Sequence, residues 1–147
     1  MLINISTSKS SLSIYRYSNG NVRDVFHELK NLEGDFICFG RTWDENQQLV
    51  LEEHYLNDDF YNLNGPAFRS WSSNSTLLEE IYSPKINDIT IPSYQSWDDK
   101  GQLIKQKFYG FDGDDEILIC KIWRNGVVLR EVHYLNKRYH NENCQIC

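Results

Sequence analysis

No run of apolar residues in this chain approaches the roughly 18 needed to cross a membrane as a helix. The start, Met1-Leu2-Ile3-Asn4-Ile5, lacks the charged beginning and long apolar stretch of a secretory signal. Cytoplasmic residence with no membrane association is the expectation. Cations are scarce: 15 Lys and Arg stand against 21 Asp and Glu, a formal charge of −6. That balance argues against a nucleic-acid surface, which needs a basic footprint, and it favours a basic protein as partner. Catalytic motifs are missing as well. There is no Gly-x-Ser-x-Gly and no glycine-rich phosphate loop, and His27-Glu28 is followed by Leu29-Lys30-Asn31, which ends the likeness to a zinc-protease helix. Neither enzymatic activity nor a cofactor is expected.

Cysteine is thinly used. Cys38 and Cys120 sit in apolar, strand-like runs and read as small hydrophobes. Cys144-Gln145-Ile146-Cys147 is a lone C-x-x-C. With His140 it offers three ligands where a structural zinc takes four, so residues 144–147 read as a silent tail and no metal is expected.

What the chain does contain is a repeat. Its four tryptophans, Trp43, Trp71, Trp97 and Trp123, lie 28, 26 and 26 residues apart, and a tyrosine follows each by 11 or 12: Tyr55, Tyr82, Tyr109 and Tyr134. The tetrapeptide His-Tyr-Leu-Asn occurs at 54–57 and again at 133–136. Self-similarity at a fixed period marks a repeat architecture. Aligned on Trp and Tyr, the copies show an aliphatic column (Val50, Leu77, Ile104, Leu129), a mostly acidic column (Glu52, Glu79, Gln106, Glu131) and a mostly basic one (Arg41, Arg69, Gln95, Lys121).

Base and acid change together, since the copy with Gln95 carries Gln106. A β-hairpin explains this: the register that sets Arg41 opposite Glu52 also sets Arg69 opposite Glu79, Gln95 opposite Gln106 and Lys121 opposite Glu131. The same register lays Trp43 on Val50, Trp71 on Leu77, Trp97 on Ile104 and Trp123 on Leu129. Turn formers fill the short gaps, from Asp44-Glu45-Asn46 to Arg124-Asn125-Gly126. His54 and His133 share a column with Ile81 and Phe108, so they read as packing surfaces rather than as ligands or bases.

The expected fold is mainly β, a single-layer or curled antiparallel meander of four hairpins over residues 37–143. Residues 1–36 would cap its first edge. Within that cap Val22, Val25, Phe26, Leu29 and Leu32 fit a helical period, so a short helix over 21–32 is expected, with Asn21 as N-cap and Gly34 as C-cap. The competing reading is a degenerate fifth repeat, because Tyr17 lies 26 residues before Trp43 and is followed by Asn19-Gly20.

The unit Trp-x-x-x-Gly-x-Leu-x-x-Glu-x-x-Tyr, with Asn64-Gly65-Pro66-Ala67 between copies, resembles the MORN-repeat variant of bacterial antitoxin or immunity proteins and of some viral proteins. The residues that carry the resemblance are Asp98-Asp99-Lys100-Gly101-Gln102-Leu103 with Tyr109, Leu49 with Glu52 and Tyr55, and the Gly-Pro-Ala before Trp71. It implies a repeat fold and a binding role, and supplies no catalytic residue. A non-enzymatic immunity protein that covers a toxin is therefore the expected function, with a repeat scaffold or virus-encoded interaction protein as the alternative. Contact residues are sought among Tyr61, Tyr94 and Tyr139, since tyrosine is a common interface anchor, and in the acidic loop Asp112, Asp114, Asp115 and Glu116. Whether the protein self-associates, the sequence leaves open.

Overall fold

The computed structural model describes residues 7–83, 88–136 and 138–140, with side chains for 9–83 and 88–136. All strands belong to one antiparallel sheet that is not closed. They are β1 (Thr7–Arg16), β2 (Val22–Asn31), β3 (Phe36–Trp43), β4 (Leu49–Leu56), β5 (Asp59–Phe60), β6 (Phe68–Trp71), β7 (Leu77–Ile81), β8 (Tyr94–Trp97), β9 (Leu103–Asp112), β10 (Asp115–Arg124), β11 (Val127–Leu135) and β12 (Arg138–His140). Spatial order follows chain order, apart from the two-residue β5, which pairs only with β4 while β6 continues the sheet. The expected meander is thus present, and it holds no helix among the described residues.

The segment expected to be helical is the strand β2, paired with β1 on one side and β3 on the other. A single-layer sheet has no second layer for a helix to bury its apolar stripe against, and a short helix without such burial is marginal. Leu32, the last residue of that stripe, is 70% exposed in the β2–β3 turn.

The degenerate fifth repeat is real, but one residue out of the expected alignment. The N–H groups of Tyr17, Asp44, Ser72 and Asp98 each donate at 2.9 Å to the carbonyl four residues on, that of Asn21, Gln48, Thr76 and Gln102. Their carbonyls accept from Gly20, Gln47, Ser75 and Gly101, all with positive φ between 59° and 88°. This is the three-residue hairpin loop ending in a left-handed residue. Tyr17 therefore matches Asp44, and Arg16 takes the tryptophan position. The last hairpin closes one residue shorter, on Asn125 and Gly126 at φ 51° and 75°.

Every one of these five hairpins carries a register shift just before its turn. Arg16, Trp43, Trp71, Trp97 and Trp123 pair with Val22, Leu49, Leu77, Leu103 and Val128, and the next residue of the second strand is the extra one. Those extra residues are Arg23, Val50, Leu78, Ile104 and Leu129. The aliphatic column expected opposite the tryptophans thus occupies, in three of four copies, the bulge beside the residue that does pair with the tryptophan. In the second copy Leu77 does pair with Trp71, as expected. A bulge sets two residues against one and sharpens the local twist, so each indole faces two side chains.

One row of side chains crosses eight strands on a common face: Arg41, Glu52, Arg69, Glu80, Gln95, Gln106, Lys121 and Glu131 stand opposite one another in turn. Arg41 Nε reaches Glu52 at 2.9 Å and Lys121 Nζ reaches Glu131 at 3.2 Å. Gln106 Nε2 donates to Gln95 Oε1 at 2.9 Å. The expected pairings hold in three copies. In the second, Arg69 pairs with Glu80 at 3.0 Å, not with Glu79, which faces Ser70 from the other side of the sheet. With that one-residue correction Tyr82, not Ile81, joins His54, Phe108 and His133 in their column. Glu80 is only 8% exposed, and Tyr82 Oη also donates to it at 3.3 Å.

The recurring His-Tyr-Leu-Asn has a structural cause. Asn57 and Asn136 leave their strands at φ 51° and 49° and bond the start of the neighbouring strand like a backbone. Asn57 Oδ1 accepts from Phe36 N–H and Asn136 Oδ1 from Glu116 N–H, both at 2.8 Å.

Candidate functional site

Packing is shallow throughout, which leaves both faces available. The buried hydrophobic residues among those described are only the small Ala67 and Val132, and no large described side chain is fully buried. One departure from a uniform surface is a cleft of about 490 Å³. Strand length creates it. The hairpins β3–β4 and β9–β10 have strands of 8 and 10 residues, whereas β6, β7 and β8 between them have 4, 5 and 4. Pro66 and Pro92 lie two residues ahead of β6 and β8, where a residue without an N–H cannot extend the ladder. The short strands end early and leave a notch.

Tyr109 and Leu118, facing each other across β9 and β10, form one wall. The opposite wall is Phe60 with Asp58 and Asp59 at its mouth, and Ile81, Tyr82, Ser93 and Tyr94 make the floor. Phe60 is fixed by stacking on Tyr55 with centroids 4.9 Å apart and by an edge contact to Phe68 at 5.5 Å. Asp58, at φ 68°, completes the tight turn that begins at Asn57, whose Nδ2 donates to Asp35 at 2.8 Å. Neither Asp58 nor Asp59 has an ion pair among the described residues.

The cleft is electrostatically negative. The Tyr94 phenol is pushed above its ordinary value, chiefly by burial, with Glu79 adding to the shift. Burial raises Tyr109 too, and Glu116 adds to it. Lys107, whose ammonium lies 5.3 Å from the Tyr94 ring centroid, contributes a single positive charge.

Of the residues singled out as contacts, the cleft gathers Tyr94, with Glu116 beside Tyr109. Tyr61 lines a separate hollow of about 200 Å³ with Phe39, His54 and Leu56. Asp112, Asp114 and Asp115 form the exposed β9–β10 turn, where the Asp115 carboxylate accepts from Asn136 Nδ2 at 2.6 Å. Tyr139 lies opposite Tyr134 in β12, and its side chain falls outside the described residues, as do Cys144 and Cys147. Asp58, Asp59, Phe60 and Leu118 went unnoticed in the sequence. Their signal is a proline five residues ahead of Trp71 and of Trp97, with none at that place before Trp43 or Trp123, which foretells unequal strands. No protein-family model matches the chain, and neither a curated protein nor a solved structure matches it.

Proposed function

We propose that this protein is a non-enzymatic binding module, most concretely a cytoplasmic immunity protein or antitoxin that neutralises a basic toxin by direct contact. The observation that carries the reading is the aromatic cleft with unpaired carboxylates at its mouth, on a chain of charge −6. Exposed aromatic surface supplies contact area, and acidic surface speeds encounter with a basic partner. A repeat scaffold is the second reading, favoured by the edge strand β1, where Leu12, Ile14 and Tyr15 are 62%, 49% and 49% exposed.

The test is co-expression with a candidate basic toxin, taken from a neighbouring gene where one encodes such a protein. Immunity requires relief of growth arrest and a complex of defined stoichiometry on size exclusion, weakened at least about tenfold by Tyr94→Ala with Tyr109→Ala. Persistent arrest with no complex would reject the immunity role.

A further inference from the structure

We propose that the cleft seats a cationic side chain, specifically an arginine, presented by the protein partner. The inference rests on the binding reading above and names the chemistry of its central contact. Four aromatic rings, Phe60, Tyr82, Tyr94 and Tyr109, line the cavity, and the negative face of such rings attracts a cation. The Lys107 ammonium already lies over Tyr94 at 5.3 Å, so that ring accepts positive charge in the free protein. Asp58 and Asp59 stand adjacent at the mouth with no cation of their own. Glu79 and Glu116 act on the two phenols from either side. The Arg69–Glu80 ion pair beside Tyr82 cancels itself, so the four other carboxylates against Lys107 leave an unmet demand for positive charge.

Arginine fits this better than lysine. Its planar guanidinium stacks on a ring while its fork meets carboxylates, whereas an ammonium is a compact, strongly hydrated point charge. A volume of about 490 Å³ admits the guanidinium and its methylenes. Asn57, anchored to Asp35 and to the Phe36 N–H, holds the Asp58–Asp59 turn in place before binding, which reduces the ordering cost.

The experiment titrates the whole chain with the capped tripeptide Gly-Arg-Gly while following its amide resonances. The neutral isostere Gly-citrulline-Gly and the lysine analogue Gly-Lys-Gly serve as comparisons. Arginine should shift Phe60, Tyr94 and Tyr109, while citrulline binds at least about fivefold more weakly. Asp58→Asn with Asp59→Asn should lose about the same factor and the salt dependence, with a dispersed spectrum showing that the variant is folded. Equal binding of citrulline, or an unaltered affinity in the double variant, overturns the proposal, as does the absence of shifts at the cleft. A toxin complex indifferent to Asp58→Asn with Asp59→Asn would sink this inference and leave the immunity reading standing. Arginine binding without any toxin complex would do the reverse.

Discussion

The phenol of Tyr17 donates a 2.9 Å hydrogen bond to the main-chain carbonyl of Trp43, tying the first hairpin to the second at their turns. Gln47 reinforces the tie by donating to the Val22 carbonyl at 2.9 Å. Because a sheet without a core holds each hairpin only through its neighbours, such bonds decide whether the terminal unit stays docked. Tyr17→Phe should cost about 1 kcal/mol. Faster amide exchange confined to β1 and β2 would show it, and unchanged exchange would refute it.

Trp97 and Gln106 lie on the same hairpin and differ in what they hold. Trp97 is half-buried against the Leu103–Ile104 bulge, whereas Gln106 offers its neighbour one neutral hydrogen bond. Trp97→Ala should destabilise by about 2 to 3 kcal/mol and Gln106→Ala by under about 1. Urea midpoints of the two variants provide the comparison, and equal shifts would contradict the packing described for the indole.

Gly40 lies mid-strand between Phe26 and Glu53, and a Cβ there would sit 2.8 Å from the Phe26 ring and 3.0 Å from the Glu53 side chain. The close approach, not backbone conformation, requires glycine. Gly40→Ala should cost about 1 to 3 kcal/mol through overpacking. Phe26→Leu in the same background should recover part of the loss, read as melting temperature.

Charges along the transverse row alternate except at Gln95 and Gln106. Gln95 Nε2 sits 3.5 Å from the Glu80 carboxylate, so Gln95→Glu would place like charges side by side and should destabilise. Gln95→Lys with Gln106→Glu completes the alternation and should fall within about 1 kcal/mol of the parent. A double-mutant cycle on the pair isolates the coupling.

Tyr55 Oη donates to Glu53 at 3.0 Å. Burial, followed by this bond and the Glu53 charge, pushes the phenol up to about 12 from its ordinary 10.0. A raised pKa in the folded state means stability that is complete below 10.0 and lost as pH rises through about 12. Ultraviolet titration should show a phenol titrating near 12 that Tyr55→Phe removes and Glu53→Gln brings down.

Much of the repeat was legible because it is local. The Trp columns, the base–acid exchange at Arg41 with Glu52 and at Gln95 with Gln106, and the Asn-Gly turn at 125–126 all follow from period-two alternation and turn chemistry. Within the four copies the departures are single-residue slips. In the second copy Arg69 meets Glu80 because Trp71 and Leu77 enclose the same five-residue turn as the first copy, which spacing from the misaligned Tyr82 disguised. The pattern of β2 reads as helical because Val22, Val25, Phe26, Leu29 and Leu32 fall at three- and four-residue spacing and do not alternate.

The chain by itself determined the hairpin unit, its turns and its cross-strand partners, since each depends on residues fewer than about thirty positions apart. The sheet as a whole decided the rest. Pairing on both edges made β2 a strand where its own apolar pattern favoured a helix, and short central strands between long ones opened the cleft that joins Phe60 to Tyr109. Both are consequences of neighbours in space, whose backbone hydrogen bonds and relative lengths no single segment encodes.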